Sequence, residues 1–440
     1  MERCQSNGIY SLKFINIIFR GRGGTIMAIH VTGSHMHDKV INDKIFKAGA
    51  AAKVACERFG TENVVDASIG VLLDDNEKLV SLSTVEKVFR NLPMSEITNY
   101  APIAGLPDYL ENVLDVVFRD CRPDAYAKAL ATAGGTGAIH HAVWNYTDIG
   151  DSILTSDWYW GPYQIVAEAF LRKLETFTMF DENRRFNTEA FRVKVEELQA
   201  KQTNTFIILN TPAHNPMGYS LDDDEWDGVI EVIKNAAKNK EKNIILLVDI
   251  AYIAYCGDQH DCRTFMKKFS GLPENVMVII AYSMSKGYTL YGQRAGAIVG
   301  ISSSRAAIEE FDSVNNYLCR ATWSNINRSA MDILNIIHDD KGLTEQIETE
   351  RDGYYQMLRR RSDVFLAEAK AINMPVMPYV SGFFMSVPAK DPEFACEKLF
   401  EDNVFTVPMM GGLRIAICGV PFQKLKIMAE RMVKVVHLTR

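Results

Sequence analysis

The chain lacks any run of roughly 18 apolar residues, the length a helix needs to cross a bilayer, so no transmembrane segment is expected. It also lacks a basic excess. Lys and Arg number 48 against 55 Asp and Glu, a net charge of -7, which leaves no electrostatic footprint for nucleic acid. The eight cysteines are scattered and include no C-x-x-C pair, so reduced thiols in a cytoplasmic protein are expected instead of a disulfide framework. The one stretch with metal-ligand residue types, Cys256-Gly-Asp-Gln-His260-Asp-Cys262, fits no zinc spacing and reads as a polar loop. G-x-G-x-x-G, internal repeats, low-complexity tracts and Pro/Ser-rich linkers are missing as well.

What remains is an ordinary globular composition, 47% hydrophobic and 23% charged, in 440 residues, which exceeds the usual single core and implies two domains. Apolar runs near 128–133, 152–156, 173–179, 205–210, 244–249, 276–282 and 295–301 read as strands. Segments of helical periodicity separate them, such as Thr188 to Lys201 and Asp224 to Ala237. That alternation predicts an α/β fold with a mainly parallel seven-stranded sheet covered by helices on both faces. Leu343 to Ala371 reads as one long amphipathic helix. The first 26 residues suit neither a signal peptide nor a clear transit peptide. Residues 1–27 read as an extension that is disordered or not native, with Met27 as the working start.

The chemistry concentrates in Ser283-Met-Ser285-Lys286-Gly-Tyr-Thr-Leu-Tyr-Gly-Gln-Arg294, just after an apolar strand. A lysine beside two hydroxyls and a guanidinium can condense with an aldehyde cofactor while the others bind its phosphate. Burial and a nearby cation lower a lysine pKa and free the amine. Taken alone, this segment reads better as a solvated Lys/Arg face following a core strand; the remaining motifs decide the case. A second strand ends on Asp249, where a buried carboxylate is costly unless a pyridinium or similar cation pairs with it, or unless it caps a helix. Tyr252 follows three residues later and is placed to donate to a phenolic oxygen. A third strand leads into Thr-Pro-Ala-His-Asn215-Pro-Met-Gly218, turn chemistry whose Asn215 amide sits where open α/β sheets bind ligands. Leu130-Ala-Thr-Ala-Gly134-Gly135-Thr136-Gly137 is a strand, a glycine turn and a helix start offering free N–H groups to a phosphate.

In this order the motifs resemble the class I aminotransferases dependent on pyridoxal 5'-phosphate (fold type I), in particular the aspartate and aromatic branch, from about Val65 to Gly419. The resemblance implies phosphate binding at Gly135 and Thr136 and an aromatic ring, Trp160, stacked on the cofactor. It assigns the remaining cofactor contacts to Asn215, Asp249, Tyr252, Ser283, Ser285, Lys286 and Arg294. Tyr100 falls where the family reaches the phosphate of the neighbouring subunit, which implies a homodimer with shared active sites. Arg414, in Gly412-Leu-Arg-Ile, falls where the family forks onto the substrate α-carboxylate. Arg320 falls where it contacts a distal carboxylate from the partner. Lys286 then moves the α-proton, and 2-oxoglutarate accepts the amino group in a ping-pong cycle. The implied domains are a large one at 79–345 and a small one at 28–78 plus 346–440.

Departures bear on substrate and tuning. Met217 replaces a threonine. Pro162 and Tyr163 replace an Asn and a His, so the family's usual donor to Asp249 is missing from its place. Phe383 and Phe384, with Val71 and Leu72 after Gly70, give an apolar wall, and Gly70 and Phe384 are taken as substrate-binding candidates. Aromatic donors therefore stay open beside aspartate. A β-lyase of cysteine S-conjugates would share every cofactor ligand. A non-catalytic ligand-sensing regulator on this fold usually adds a DNA-binding domain, and no helix-turn-helix is found in the short N-terminal segment.

Overall fold

The computed structural model describes residues 31–438 apart from positions 38 and 42, and the expected extension at 1–27 lies outside the described residues. The described residues before position 42 and those from Asp43 onward fall into separate units. In the first, Ser34–Met36 is a single exposed 3-10 turn.

The second unit is built on a seven-stranded sheet: β1 (Tyr126–Thr132), β2 (Ser152–Ser156), β3 (Lys173–Phe177), β4 (Asn204–Asn210), β5 (Asn243–Asp249), β6 (Val276–Ser283) and β7 (Gly296–Ser302). Its order is β1-β7-β6-β5-β4-β2-β3, with β7 antiparallel to both neighbours and the other pairs parallel. β4 to β7 are nearly all buried along their length, because helices cover both faces, and strands in that setting read as continuous Val/Ile/Leu runs. The expected strands match these within a few residues.

Helices that position the site are α1 (Lys44–Phe59), α2 (Gly134–Tyr146), α3 (Pro162–Ala169), α4 (Met284–Gly287), α5 (Arg305–Thr322) and α6 (Lys341–Ala371). The expected long helix is confirmed as the 31-residue α6, started by Asp340, whose carboxylate accepts from the Leu343 N–H. Beyond it, β8 (Phe384–Pro388), β9 (Val407–Met409) and β10 (Gly412–Ala416) form an antiparallel sheet in the order β9-β10-β8. Val65, Ala67, Phe365, Met385, Leu413, Ile415 and Met428 share a core there, distinct from the main one around the large sheet.

One cysteine pair departs from the expected reduced state. Cys256 and Cys262 are joined as a disulfide with Cα atoms 6.3 Å apart, because tight 3-10 turns at Ile253–Tyr255 and Asp261–Phe269 fold the intervening loop back on itself. His260 from the same loop turns instead toward Asp120 and Cys121. Among the described residues no helix is long and apolar enough to cross a membrane.

Candidate active site

Register brings the chemistry to one edge of the large sheet. In the parallel ladder Asn210 pairs with Asp249, and Asp249 with Ala281, so the carboxyl ends of β4, β5 and β6 lie side by side. β7 runs the other way, which places its start, Gly296, opposite Thr132 and Ser283 at that same edge. Open α/β sheets bind ligands outside such strand ends. A cavity of about 370 Å³ opens there, lined by Gly135, Thr136, Trp160, Asn215, Asp249, Tyr252, Ser283, Ser285, Lys286 and Arg294. Residues drawn from five separated motifs thus meet in one space.

One end of the cavity is an anion cradle. Gly135 and Thr136 open the 13-residue α2, whose first N–H groups have no intrahelical partner and whose dipole is positive at this end. The Arg294 Nη1 donates to Ser285 Oγ at 3.1 Å, and the Ser285 N–H donates to Ser283 Oγ at 3.2 Å. No carboxylate faces Arg294 among the described residues. Gly134 has φ +67°, and a Cβ there would lie 2.8 Å from the Arg294 Nη2, so only glycine lets the turn and the guanidinium approach each other.

The other end holds an acid, a base and a phenol. Asp249 is buried, and burial pushes its carboxyl up while hydrogen bonds from Tyr163 and Ala251 and the Lys286 charge oppose this. The Tyr163 hydroxyl donates to Asp249 Oδ2 at 2.6 Å and the Ala251 N–H to Oδ1 at 3.1 Å, so the acid is held on both oxygens. The Asn215 amide donates to the Tyr252 hydroxyl oxygen at 3.3 Å. Asn210 fixes this turn from below, accepting from the Asn215 N–H at 2.6 Å and donating to the Asp249 carbonyl at 2.9 Å. Lys286 donates from Nζ to the Gly70 carbonyl at 3.2 Å. Its amine is pushed down to about 8, first by burial and then by the Arg294 and Arg414 charges, against the raising effects of Cys418 and Asp249.

Arg414, on β10, stands beside Asn215. It donates to the Ser68 carbonyl at 2.6 Å, and its guanidinium lies 4.6 Å from the Phe384 ring centroid. The side chain is 2% exposed and its Nε has no hydrogen-bond partner, an orphaned charged donor that calls for an anion. Burial brings its pKa down to about 10. Gly70 packs under Phe384, where a Cβ would lie 2.5 Å from the ring's Cζ, so any side chain at this position would have to displace the ring.

Two expected residues lie apart from this cavity. Tyr100 is 82% exposed, and Arg320, at the end of α5, is exposed and donates to Ser324 Oγ at 3.0 Å. The cavity also takes in Phe46 from α1 and Tyr291, which sequence reasoning passed over. Tyr291 lies inside the lysine segment itself and was within reach of the motif, whereas nothing around Phe46 marks it locally. The largest omission is Tyr163, noted only as a departure: it is the donor to Asp249.

A buried amine of lowered pKa, a buried acid and an anion cradle thus meet at one edge of a mostly parallel sheet, a lining that suits a phosphorylated aldehyde. The family model for aminotransferase class I and II matches residues 62–432, so the chain belongs to that family. An aminotransferase from Anaerococcus prevotii superposes with a TM-score of 0.91 at 38% identity, covering 93% of this chain and all of that one. The aspartate aminotransferase of Salmonella typhi is 24% identical over 310 residues, 69% of this chain and 75% of that enzyme. The aromatic-amino-acid aminotransferase of Paracoccus denitrificans is 24% identical over 266 residues, 59% of this chain and 64% of that enzyme. The expected fold type I architecture and the aminotransferase assignment are therefore borne out, and the family's cofactor is pyridoxal phosphate, to which an aromatic-amino-acid aminotransferase from Burkholderia pseudomallei, a structural neighbour, is covalently bound.

Proposed function

We propose that this enzyme moves an amino group between an L-amino acid, aspartate or an aromatic one, and 2-oxoglutarate in a ping-pong cycle, as a homodimer with shared sites. The observation that carries this reading is the pairing of a buried lysine amine at about 8 with the orphaned, buried Arg414 Nε next to the same cavity. The residues suit the cofactor. Arg294, Ser283, Ser285 and the start of α2 make a receptor for a phosphate, and Asp249 is a buried partner for a ring cation. When bound, pyridoxal phosphate supplies an electron sink for the α-carbon of the amino acid.

In this reading Arg414 clamps the α-carboxylate, which orients the α-hydrogen toward Lys286. The Lys286 amine takes and returns that proton as base and then acid. Asp249 keeps the ring nitrogen protonated, and Tyr252 with Asn215 stabilises negative charge at the phenolic oxygen. Phe384 and Tyr252, with ring centroids 5.4 Å apart, exclude water from one side of the substrate space. Tyr100 and Arg320, both exposed on this chain, serve the partner's cavity.

Two measurements follow. Below about pH 8 most Lys286 is ammonium and cannot attack an aldehyde, so covalent capture of pyridoxal phosphate by the apoprotein should quicken roughly tenfold per pH unit up to about 8 and then level off. A rate that climbs steadily to pH 10 would show an unperturbed lysine. The charges that set this value are Arg294, Arg414 and Asp249, and Cys418 is the thiol beside them. Second, Arg320→Leu should raise the KM for aspartate and 2-oxoglutarate by about 2 kcal/mol or more of lost binding while leaving phenylalanine or tyrosine nearly unchanged. An equal loss for both donor classes would assign Arg320 to the fold or the dimer.

A further inference from the structure

We propose that Tyr163 is the positioning residue for Asp249: its hydroxyl, together with the Ala251 N–H, fixes the carboxylate that faces the cofactor's ring nitrogen. The inference rests on the functional reading above and deepens it by assigning the tuning of that nitrogen to a phenol.

The geometry makes the assignment. Tyr163 is 1% exposed and Asp249 5%, and their 2.6 Å contact joins α3 to the end of β5 across 86 residues of sequence. A hydrogen bond to a charged group is roughly twice as strong as a neutral one, more so away from water. The local sequence builds the placement. Pro162 opens α3 at a position that needs no N–H donor, and the Tyr163 N–H donates to the Trp160 carbonyl at 2.9 Å. This turn sets the Tyr163 ring edge-on to Trp160, with centroids 5.5 Å apart at 86°. Trp160 lines the cavity, so one tyrosine both orients the acid by its hydroxyl and braces the neighbouring indole by its ring.

The choice of a phenol has a chemical consequence. An imidazole in this role can carry a positive charge near neutral pH, which would compete with the ring cation for Asp249. A buried phenol beside a carboxylate stays neutral, since burial first and the Asp249 charge next push its pKa well above the ordinary value. The donor therefore holds the acid without neutralising it.

Tyr163→Phe removes the hydroxyl and keeps the ring against Trp160. It should lower both kcat and the affinity of the apoprotein for pyridoxal phosphate by roughly tenfold to a hundredfold, with KM for the oxo acid within about twofold. With cofactor labelled with 15N in the ring, its resonance should move toward the unprotonated position. In Tyr163→Leu, which also loses the edge contact, the same 15N displacement should appear with a further loss of cofactor affinity. A second measurement needs no variant. In wild-type protein labelled with 13C-tyrosine, one slowly exchanging phenolic proton should shift when pyridoxal phosphate is added to apoprotein. An unchanged 15N position in Tyr163→Phe, or no phenolic proton that responds, would overturn the role of Tyr163 while wild-type cofactor binding leaves the functional reading standing. Wild-type protein that binds no pyridoxal phosphate would overturn both.

Discussion

Lys286→Ala is expected to abolish turnover while cofactor still binds. The loss has two parts. The substitution removes the only lysine amine among the described residues lining the cavity, so no covalent bond to the cofactor can form there, and it removes the group proposed to move the α-proton. Proton transfer by a placed side chain alone accounts for roughly 10²–10⁴ in rate. The rest of the site is untouched, because Arg294, Ser285, Gly135 and Asp249 do not depend on the lysine for their hydrogen bonds. The variant should therefore bind pyridoxal phosphate reversibly, and borohydride should trap the cofactor on Lys286 in the wild type and on nothing in the variant. Turnover at the wild-type rate in Lys286→Ala would remove the lysine from the chemistry.

Asp249→Asn should come next in size. Asparagine keeps the shape: its carbonyl oxygen accepts from the Ala251 N–H and its amide donates to the Tyr163 hydroxyl oxygen, so no donors collide and the fold should survive. What disappears is the charge that would pair with the ring nitrogen of bound cofactor. Removing one preorganised electrostatic contact at a reacting centre costs about 4 kcal/mol, or close to a thousandfold in kcat. Steady-state kinetics on folded variant protein checks this. Near-normal kcat would mean that Asp249 merely terminates β5 by accepting from the Ala251 N–H, the capping role that an Asp after a strand often has.

The fold was largely legible because doubly covered strands leave no room for polar residues, and β4, β5 and β6 therefore stand out as apolar runs. The site was legible where its chemistry is local: Ser283, Ser285, Lys286 and Arg294 lie within one turn-and-strand segment, and Asp249 and Tyr252 within another. Contacts between distant segments were not. Tyr163 meets Asp249 only because β2 and β5 share a sheet, and no spacing encodes that. Phe46 reaches the cavity through the placement of α1, which depends on tertiary packing. The Cys256–Cys262 pair was misread because six-residue spacing matches no template, while two successive 3-10 turns bring the thiols together. Tyr100 and Arg320 are proposed to serve a partner chain, and a single chain shows them simply as exposed.

The most direct test of transamination is a single half-reaction. Purified protein loaded with pyridoxal phosphate is mixed with aspartate or tyrosine and no oxo acid, and the products are counted. The account predicts one equivalent of the matching oxo acid per site, cofactor recovered as pyridoxamine phosphate, and no free ammonia, with the aldehyde form restored by 2-oxoglutarate. Ammonia released continuously with substrate, or cofactor that stays in the aldehyde form while substrate is consumed, would contradict it.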